Sequence, residues 1–282
     1  MGESLSAFDS WIVDINDANI IDGKKFDLTK KPYHGGSTLS SGVLPKWDEL
    51  NGRYLIKRCS INAFGAHLTD AANEELVYLF CKEIGVNCAY YRLVQIKYFD
   101  TESNAAIECP AVVTKIFPGQ LQHYKTIRSL CDLGQINDQM LDFAEKFEIQ
   151  PALNDLLLVD YLFNQQDRHA KNLGVVNANM SPIFDSGACL FYDVFDNLLS
   201  KELLSEVASQ KTFGKKIDDV LKFAYTYVHA GFSFEFNETL LISALEKALQ
   251  IMAHAYSSQR FDFIEYFVKE RINNVRKILP KA

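Results

Sequence analysis

The front of the chain alternates like strands, and the back repeats at helical spacing. Leu39 to Val43 and Tyr54 to Cys59 are short runs of β-forming apolar residues, and the turn signal Asn51-Gly52 lies between them. From Asp70 to Ile84 apolar positions recur at helical spacing, and Gly85 supplies a C-terminal cap. Cys88 to Tyr98 and Ile107 to Phe117 alternate as further strands. From Gln120 onward the pattern predicts helices near Asp138 to Phe147, Gln150 to Phe163, Leu199 to Ala208, Lys215 to Tyr227, Asn237 to Tyr256 and Phe261 to Ile278. The expected fold class is α+β with two lobes: a sheet-rich N-lobe over residues 1–117 and a mainly helical C-lobe over 118–282, joined near Pro118-Gly119 with a crevice between them.

Composition narrows the class. A chain of 282 residues with 48% hydrophobic and 12% aromatic content can build a substantial core. The balance of 29 basic against 36 acidic residues gives a net charge of -7, which argues against direct nucleic-acid binding and against broad attraction to an anionic membrane. Cysteines at 59, 81, 88, 109, 131 and 189 show no Cys-x-x-Cys spacing, so reduced, mostly buried thiols are expected rather than a zinc site or a disulfide framework. Glu3, Asp9, Asp14 and Asp17 interrupt the N-terminal apolar residues, so no signal peptide is expected, and no run is long enough to span a membrane. The expected location is cytoplasmic, with export as an effector open only to a route that needs no signal peptide.

The chemistry concentrates in Asp167-Arg168-His169-Ala170-Lys171-Asn172 and in Ile183-Phe184-Asp185-Ser186-Gly187. An apolar helical run, Leu156 to Phe163, delivers Asp167 to a polar loop, where a carboxylate can accept a proton from an attacking hydroxyl. Two apolar pieces follow, Leu173 to Val176 and Pro182 to Phe184, separated by the turn-rich stretch from Asn177 to Ser181. Paired as antiparallel strands, they set Asn172 and Asp185 side by side, two oxygen ligands suited to a magnesium ion that bridges nucleotide phosphates. A lone Asp-Arg-His would be an ordinary cap or turn; the ordered set of helix, loop, Asn, hairpin and Asp-x-Gly reads as a phosphoryl-transfer centre.

Such a centre predicts further parts. A strand lysine to hold phosphates is supplied by Lys57 in Tyr54-Leu55-Ile56-Lys57. On the following helix, Glu74 and Glu75 both qualify as its partner. The face of Glu74 continues through Val77, Tyr78, Cys81 and Ile84, whereas that of Glu75 runs through Leu79, Lys82 and Glu83, so Glu74 is taken as the inward carboxylate. Gly35, Gly36, Ser37, Ser40, Ser41 and Gly42 form a small-residue segment whose backbone N–H groups could approach phosphate oxygens; an ordinary hairpin turn would use the same residues. The lobe connection, with Lys115, Ile116 and Phe117, fits backbone hydrogen bonding to adenine.

With Asn73-Glu74 ahead of Gly85, Asp167-x-His169-x-x-Asn172 and the tract from Pro182 to Asp193, the chain resembles HipA-like kinases, bacterial serine/threonine kinases that include persistence toxins and related effectors. The resemblance runs most clearly from Asn154 to Asp193 and less so from Lys57 to Gly85. It implies a protein-kinase-like fold, ATP and Mg2+ as cofactors, Asp167 as catalytic base, Asn172 and Asp185 on magnesium, Lys57 on phosphates with Glu74 behind it, and His169 bracing the loop. It also implies a protein substrate with a serine or threonine acceptor, and autophosphorylation on Ser37, Ser40 or Ser41. Family toxins meet an antitoxin-like regulator through an extra N-terminal subdomain; here the strand lysine comes by position 57, so a compact, stand-alone kinase is expected.

Three other readings use the same residues. Asp-Arg-His-x-x-Asn also resembles the catalytic loop of phosphoinositide kinases, although such an enzyme must reach a membrane and only Lys269 to Lys277 is locally basic. A nucleotide-binding pseudokinase acting as an interaction module would have no need of Asp167. A metal-dependent hydrolase would need more histidines at ligand spacing than the dispersed His34, His67, His123, His229 and His254.

Overall fold

The computed structural model describes residues 25–31, 46–49, 54–62, 66–101, 103–115, 124–126, 148–168, 171–200, 211–212, 215–216 and 231–278. Five strands form one sheet: β1 (Lys25–Asp27), β2 (Lys46–Glu49), β3 (Tyr54–Arg58), β4 (Tyr91–Asp100) and β5 (Ala105–Lys115), in the order β1-β4-β5-β3-β2. β2 and β3 pair antiparallel with Glu49 opposite Tyr54, so they flank the Asn51-Gly52 turn signal. β4 and β5 make a long antiparallel ladder from Tyr91 opposite Thr114 to Asp100 opposite Ala105, and β1 joins β4 in parallel at the edge. Neither β1 nor β2 is expected from the sequence pattern, because segments this short carry too few residues to display alternation. The strand expected at Leu39 to Val43 lies outside the described residues.

Between β3 and β4 runs α1 (Asp70–Ile84), with the bounds its periodicity predicts. Gly85 ends it at φ 77°, a left-handed conformation that costs glycine little, and the N–H groups of Gly85 and Val86 return to the carbonyls of Lys82 and Cys81. Leu76, Val77, Phe80 and Cys81 are buried against the sheet and the helices behind it. Burying Leu76, Val77 and Phe80 contributes about 1.5–3 kcal/mol each.

The helical part contains α2 (Gln150–Leu162), α3 (Glu238–Met252) and α4 (Ser258–Ile278). Pro151 opens α2, where its missing N–H costs nothing, and Asn237 caps α3 by accepting from the N–H groups of Thr239 and Leu240 at 2.9 and 3.3 Å. Phe80 of α1 meets Phe163 at the end of α2 edge-to-face, with ring centroids 5.0 Å apart, which ties the sheet-rich part to the helical part. Phe191 meets Phe263 and Phe267 of α4 at 5.5 and 5.3 Å.

Two departures from the expected helices stand out. β6 (Tyr124–Thr126) pairs with β7 (Gly174–Val176), and β7 with β8 (Asn179–Met180), giving a three-stranded sheet; a strand was expected at Leu173 to Val176, whereas Tyr124–Thr126 falls in a stretch read as helical from Gln120. β6 is recruited by a strand distant in sequence, a tertiary choice that local pattern does not carry. Lys215–Lys216 (β10) pairs with Lys211–Thr212 (β9), where a helix was expected to begin at Lys215. Leu199 and Ser200 stand outside any helix; residues 138–147, 201–208 and 217–227 lie outside the described set. Among the described residues, no helix is long and apolar enough to cross a membrane.

Candidate active site

One ammonium gathers three distant parts of the chain. Lys57 on β3 donates from Nζ to Oε1 of Glu74 on α1 and, at 2.9 Å, to Oδ1 of Asp185. The Glu74 side chain is wholly buried, while that of Asp185 is 32% exposed. Burial opposes the charge on Lys57, but the carboxylates of Asp185 and Glu74 outweigh it and hold the ammonium well above its ordinary value. Burial pushes Glu74 up to about 7, a rise that Lys57 only partly offsets and the charge of Asp185 reinforces. The two directions agree: two carboxylates share one cation, so the cation stays charged and the more deeply buried acid titrates high. Glu74 Oε2 has no hydrogen-bond partner among the described residues.

The choice between Glu74 and Glu75 was not one of inside against outside. Glu75 is also buried and accepts from Arg92 Nη1 at 2.9 Å and from the Leu93 N–H at 2.6 Å. α1 is sandwiched between sheet and helices, so both faces point inward and each acid needs its own partner.

Asp185 adopts φ 56° and is held at both ends of its peptide. Its N–H donates to Tyr91 Oη at 2.9 Å, and its carbonyl accepts from Gln165 Nε2 at 3.1 Å. Gln165 Oε1 in turn accepts the Asp167 N–H at 3.0 Å, so one amide side chain couples Asp167 to Asp185. Arg168 is the second tie. Its guanidinium is fully buried, forks onto Asp160 of α2 with two bonds of 2.9 Å, and reaches the carbonyls of Phe184 at 2.6 Å and Asn172 at 3.2 Å and Ser186 Oγ at 3.3 Å. Asn172 donates from Nδ2 to the Asp167 carbonyl at 3.4 Å. Asp167 itself is exposed at the surface of this assembly.

The hairpin between Asn172 and Asp185 is tighter than expected. β7 pairs with Asn179–Met180 and not with Pro182 to Phe184, because Asn177 and Ala178, at φ 51° and 66°, complete a two-residue turn. The piece expected as the returning strand leaves the hairpin instead. Ile183 forms a parallel bridge with Cys88, and its carbonyl accepts the Ala89 N–H at 2.8 Å, which carries Asp185 toward Tyr91 and Lys57. Past Asp185, Asn73 of α1 donates to the carbonyls of Cys189 at 2.7 Å and Gly187 at 3.4 Å, while Tyr256 donates to Asn73 Oδ1 at 3.0 Å. Arg260 holds the carbonyls of Leu190 and Phe191, two residues at φ 51° and 55° whose left-handed backbone needs such support.

Of the residues singled out by sequence, Lys57, Glu74, Asp167, Asn172 and Asp185 are thus brought into one network. Lys115 ends β5 opposite Tyr54. Gly35, Gly36, Ser37, Ser40, Ser41, Gly42, Ile116, Phe117 and His169 lie outside the described residues. Sequence reading gave no role to Tyr91, Gln165 or Arg168. For Arg168 a signal exists in Asp160, an acid set in the apolar run Leu156 to Phe163 that needs a buried partner.

No family model and no curated protein matches the chain. Among solved structures, the proinflammatory kinase CtkA of Helicobacter pylori is similar over 90% of this chain and 96% of its own, with a TM-score of 0.57 at 16% identity. HipA of Shewanella oneidensis MR-1, solved with HipB and operator DNA, is matched over 89% of this chain and 68% of its own, with a TM-score of 0.43 at 16% identity. The fold is therefore that of the α+β kinases, with helices concentrated in the C-terminal half. The resemblance to HipA-like kinases read in the sequence meets a kinase fold in the structure.

Proposed function

We propose that the chain is a Mg-ATP-dependent protein kinase of the HipA-like kind that transfers the γ-phosphoryl group to a serine or threonine hydroxyl and phosphorylates itself. The observation that carries this reading is the convergence of Lys57, Glu74 and Asp185, separated by 17 and 128 residues in sequence and joined at one ammonium. A nucleotide-phosphate site needs such a cation held rigid from behind.

The donor set fits magnesium. Asp185 offers a partly exposed carboxylate, and Asn172, whose amide nitrogen is spent on Asp167, offers its amide oxygen; few, hard oxygen ligands are what Mg2+ takes beside nucleotide phosphates. When bound, the ion would neutralise charge on the transferring group. The chain's own residues do the rest. Lys57 would hold phosphate oxygens while Glu74 keeps it in place. Asp167, exposed and with its backbone N–H fixed by Gln165, would accept the proton of the incoming hydroxyl. Arg168 stays buried and keeps the base loop and the Asp185 segment in register. The lobe boundary near Pro118-Gly119, the small-residue segment from Gly35 to Gly42 and His169 as a brace for the loop belong to the same reading.

Nucleotide titration separates these roles. Asp167→Asn should bind Mg-ATP like the wild type, whereas Asp185→Asn should lose the magnesium-dependent part of the affinity. Equal nucleotide affinity in the Asp185→Asn protein and the wild type, with and without magnesium, would refute the metal assignment.

A further inference from the structure

A cavity of about 430 Å3 lies where the first turn of α1, the strands β1, β4 and β5, and the turn Ala253–Ala255 meet. Small-molecule sites occupy roughly 300–1,000 Å3. None of Lys57, Glu74, Asp167, Asn172 or Asp185 lines it. Its floor is apolar, built from Leu93 of β4, Pro110 of β5 and Ala71 and Ala72 of α1. Among the described residues its ionisable lining is basic, Lys25, His67 and His254, in a chain whose net charge is -7. Asp70 and Glu75 of α1 are near enough to act on the charges of His67 and His254, but their oxygens are bonded away from the cavity. Asp70 accepts from the N–H and hydroxyl of Ser60, and Glu75 accepts from Arg92 and the Leu93 N–H. The helix end adds to the basic lining: Thr69 makes no side-chain cap bond, and the first-turn N–H groups at Ala71 and Ala72, which no intrahelical carbonyl can meet, are flanked by side chains no larger than methyl.

We propose that this cavity is an effector site for a small apolar anion, a molecule with a hydrocarbon body and one carboxylate or phosphate head. The body rests on Leu93 and Pro110, and the head takes Lys25, His67 and the first turn of α1, with His254, whose Nδ1 donates to the Ile251 carbonyl at 3.1 Å, beside it. Burial and the charge of Arg58, against the opposing charge of Asp70, hold His67 below its ordinary value; with Nδ1 at 3.4 Å from Cys59 Sγ, its Nε2 is the N–H donor left for the head, while Lys25 carries the formal charge. Glu74 lies on the same helix, in the turn after Ala71 and Ala72. An occupant that fixes this turn against β4 therefore also fixes Glu74 on Lys57. That consequence rests on the kinase reading; binding itself does not.

The test is calorimetric titration of the full chain with octanoate, octyl phosphate and octylamine. The expected result is saturable one-to-one binding of at least one anion, with octylamine about tenfold weaker or worse, since a charge-assisted bond is lost. Octanoate against octyl phosphate tells which head is preferred. Lys25→Glu and His254→Glu, both at exposed positions, should each weaken the anion about tenfold without changing thermal unfolding. Ala72→Leu should abolish binding by filling the floor; if that variant does not fold, Lys25→Glu decides. Binding of octylamine as tight as octanoate, or an unchanged affinity in Lys25→Glu, would overturn the site. Turnover with Mg-ATP is measured alongside. Bound anion with unchanged turnover overturns the coupling to Glu74 and not the site, whereas turnover absent with and without anion counts against the kinase reading alone.

Discussion

Replacing Glu74 by Gln separates what the buried acid does for stability from what it does for the site. The side chain keeps its shape and can still accept from Lys57, but it loses its charge. Burial raises the Glu74 carboxyl from an ordinary 4.5 to about 7 despite its contact with Lys57. That rise corresponds to about 3 kcal/mol. The folded protein holds this proton more tightly than the unfolded chain, so the contribution is fully present below about pH 4.5 and is lost as pH rises through about 7. The raised value of Lys57 acts in the same direction, but its contribution is constant across this window, which lies below the ordinary lysine range. The Gln protein has no such proton to lose. Measured by urea unfolding at pH 5 and pH 8, its stability relative to wild type should therefore rise by about 2–3 kcal/mol across the interval. Phosphate transfer should fall in the same protein, because Lys57 is then held by one carboxylate, Asp185, and a neutral amide. A stability difference that does not move with pH would refute the reasoning. It would mean that Lys57 compensates the buried charge in full.

The remaining perturbations act on the frame around the site. Arg168→Met leaves Asp160 charged and alone in the core and should destabilise the protein by about 3–5 kcal/mol in chemical denaturation; a loss below 1 kcal/mol would remove Arg168 from its central place. Gly187→Ala would put a methyl carbon 3.0 Å from the Asp70 carbonyl and 3.0 Å from Glu74 Oε1. It should push α1 and the Asp185 segment apart, costing about 1–3 kcal/mol of stability and a larger share of turnover; a fully active Gly187→Ala protein would contradict this.

What sequence could tell followed from how local each feature is. α1 was legible to its ends because fifteen residues of periodic pattern stop at a glycine whose left-handed φ the cap requires. Asp167, Asn172 and Asp185 were legible because their spacing is fixed by a helix, a loop and a hairpin. The hairpin register was not, since the pattern marks apolar pieces while Asn177 and Ala178 decide where the chain turns. Tyr91 and Gln165 carry no signature, because one acts through its hydroxyl on a distant backbone N–H and the other bridges two peptide groups. Glu75 was misjudged as outward because helical periodicity assumes a solvent face, and α1 has almost none.

The most direct test of the central claim is incubation of the wild type, Asp167→Asn and Asp185→Asn proteins with labelled ATP and magnesium, followed by mass spectrometry of the protein. The account predicts phosphate on a serine or threonine of the wild type, with Ser37, Ser40 and Ser41 as the first positions to inspect, and none on either variant. Equal incorporation in wild type and Asp167→Asn, or none in a wild type that binds Mg-ATP, would contradict it.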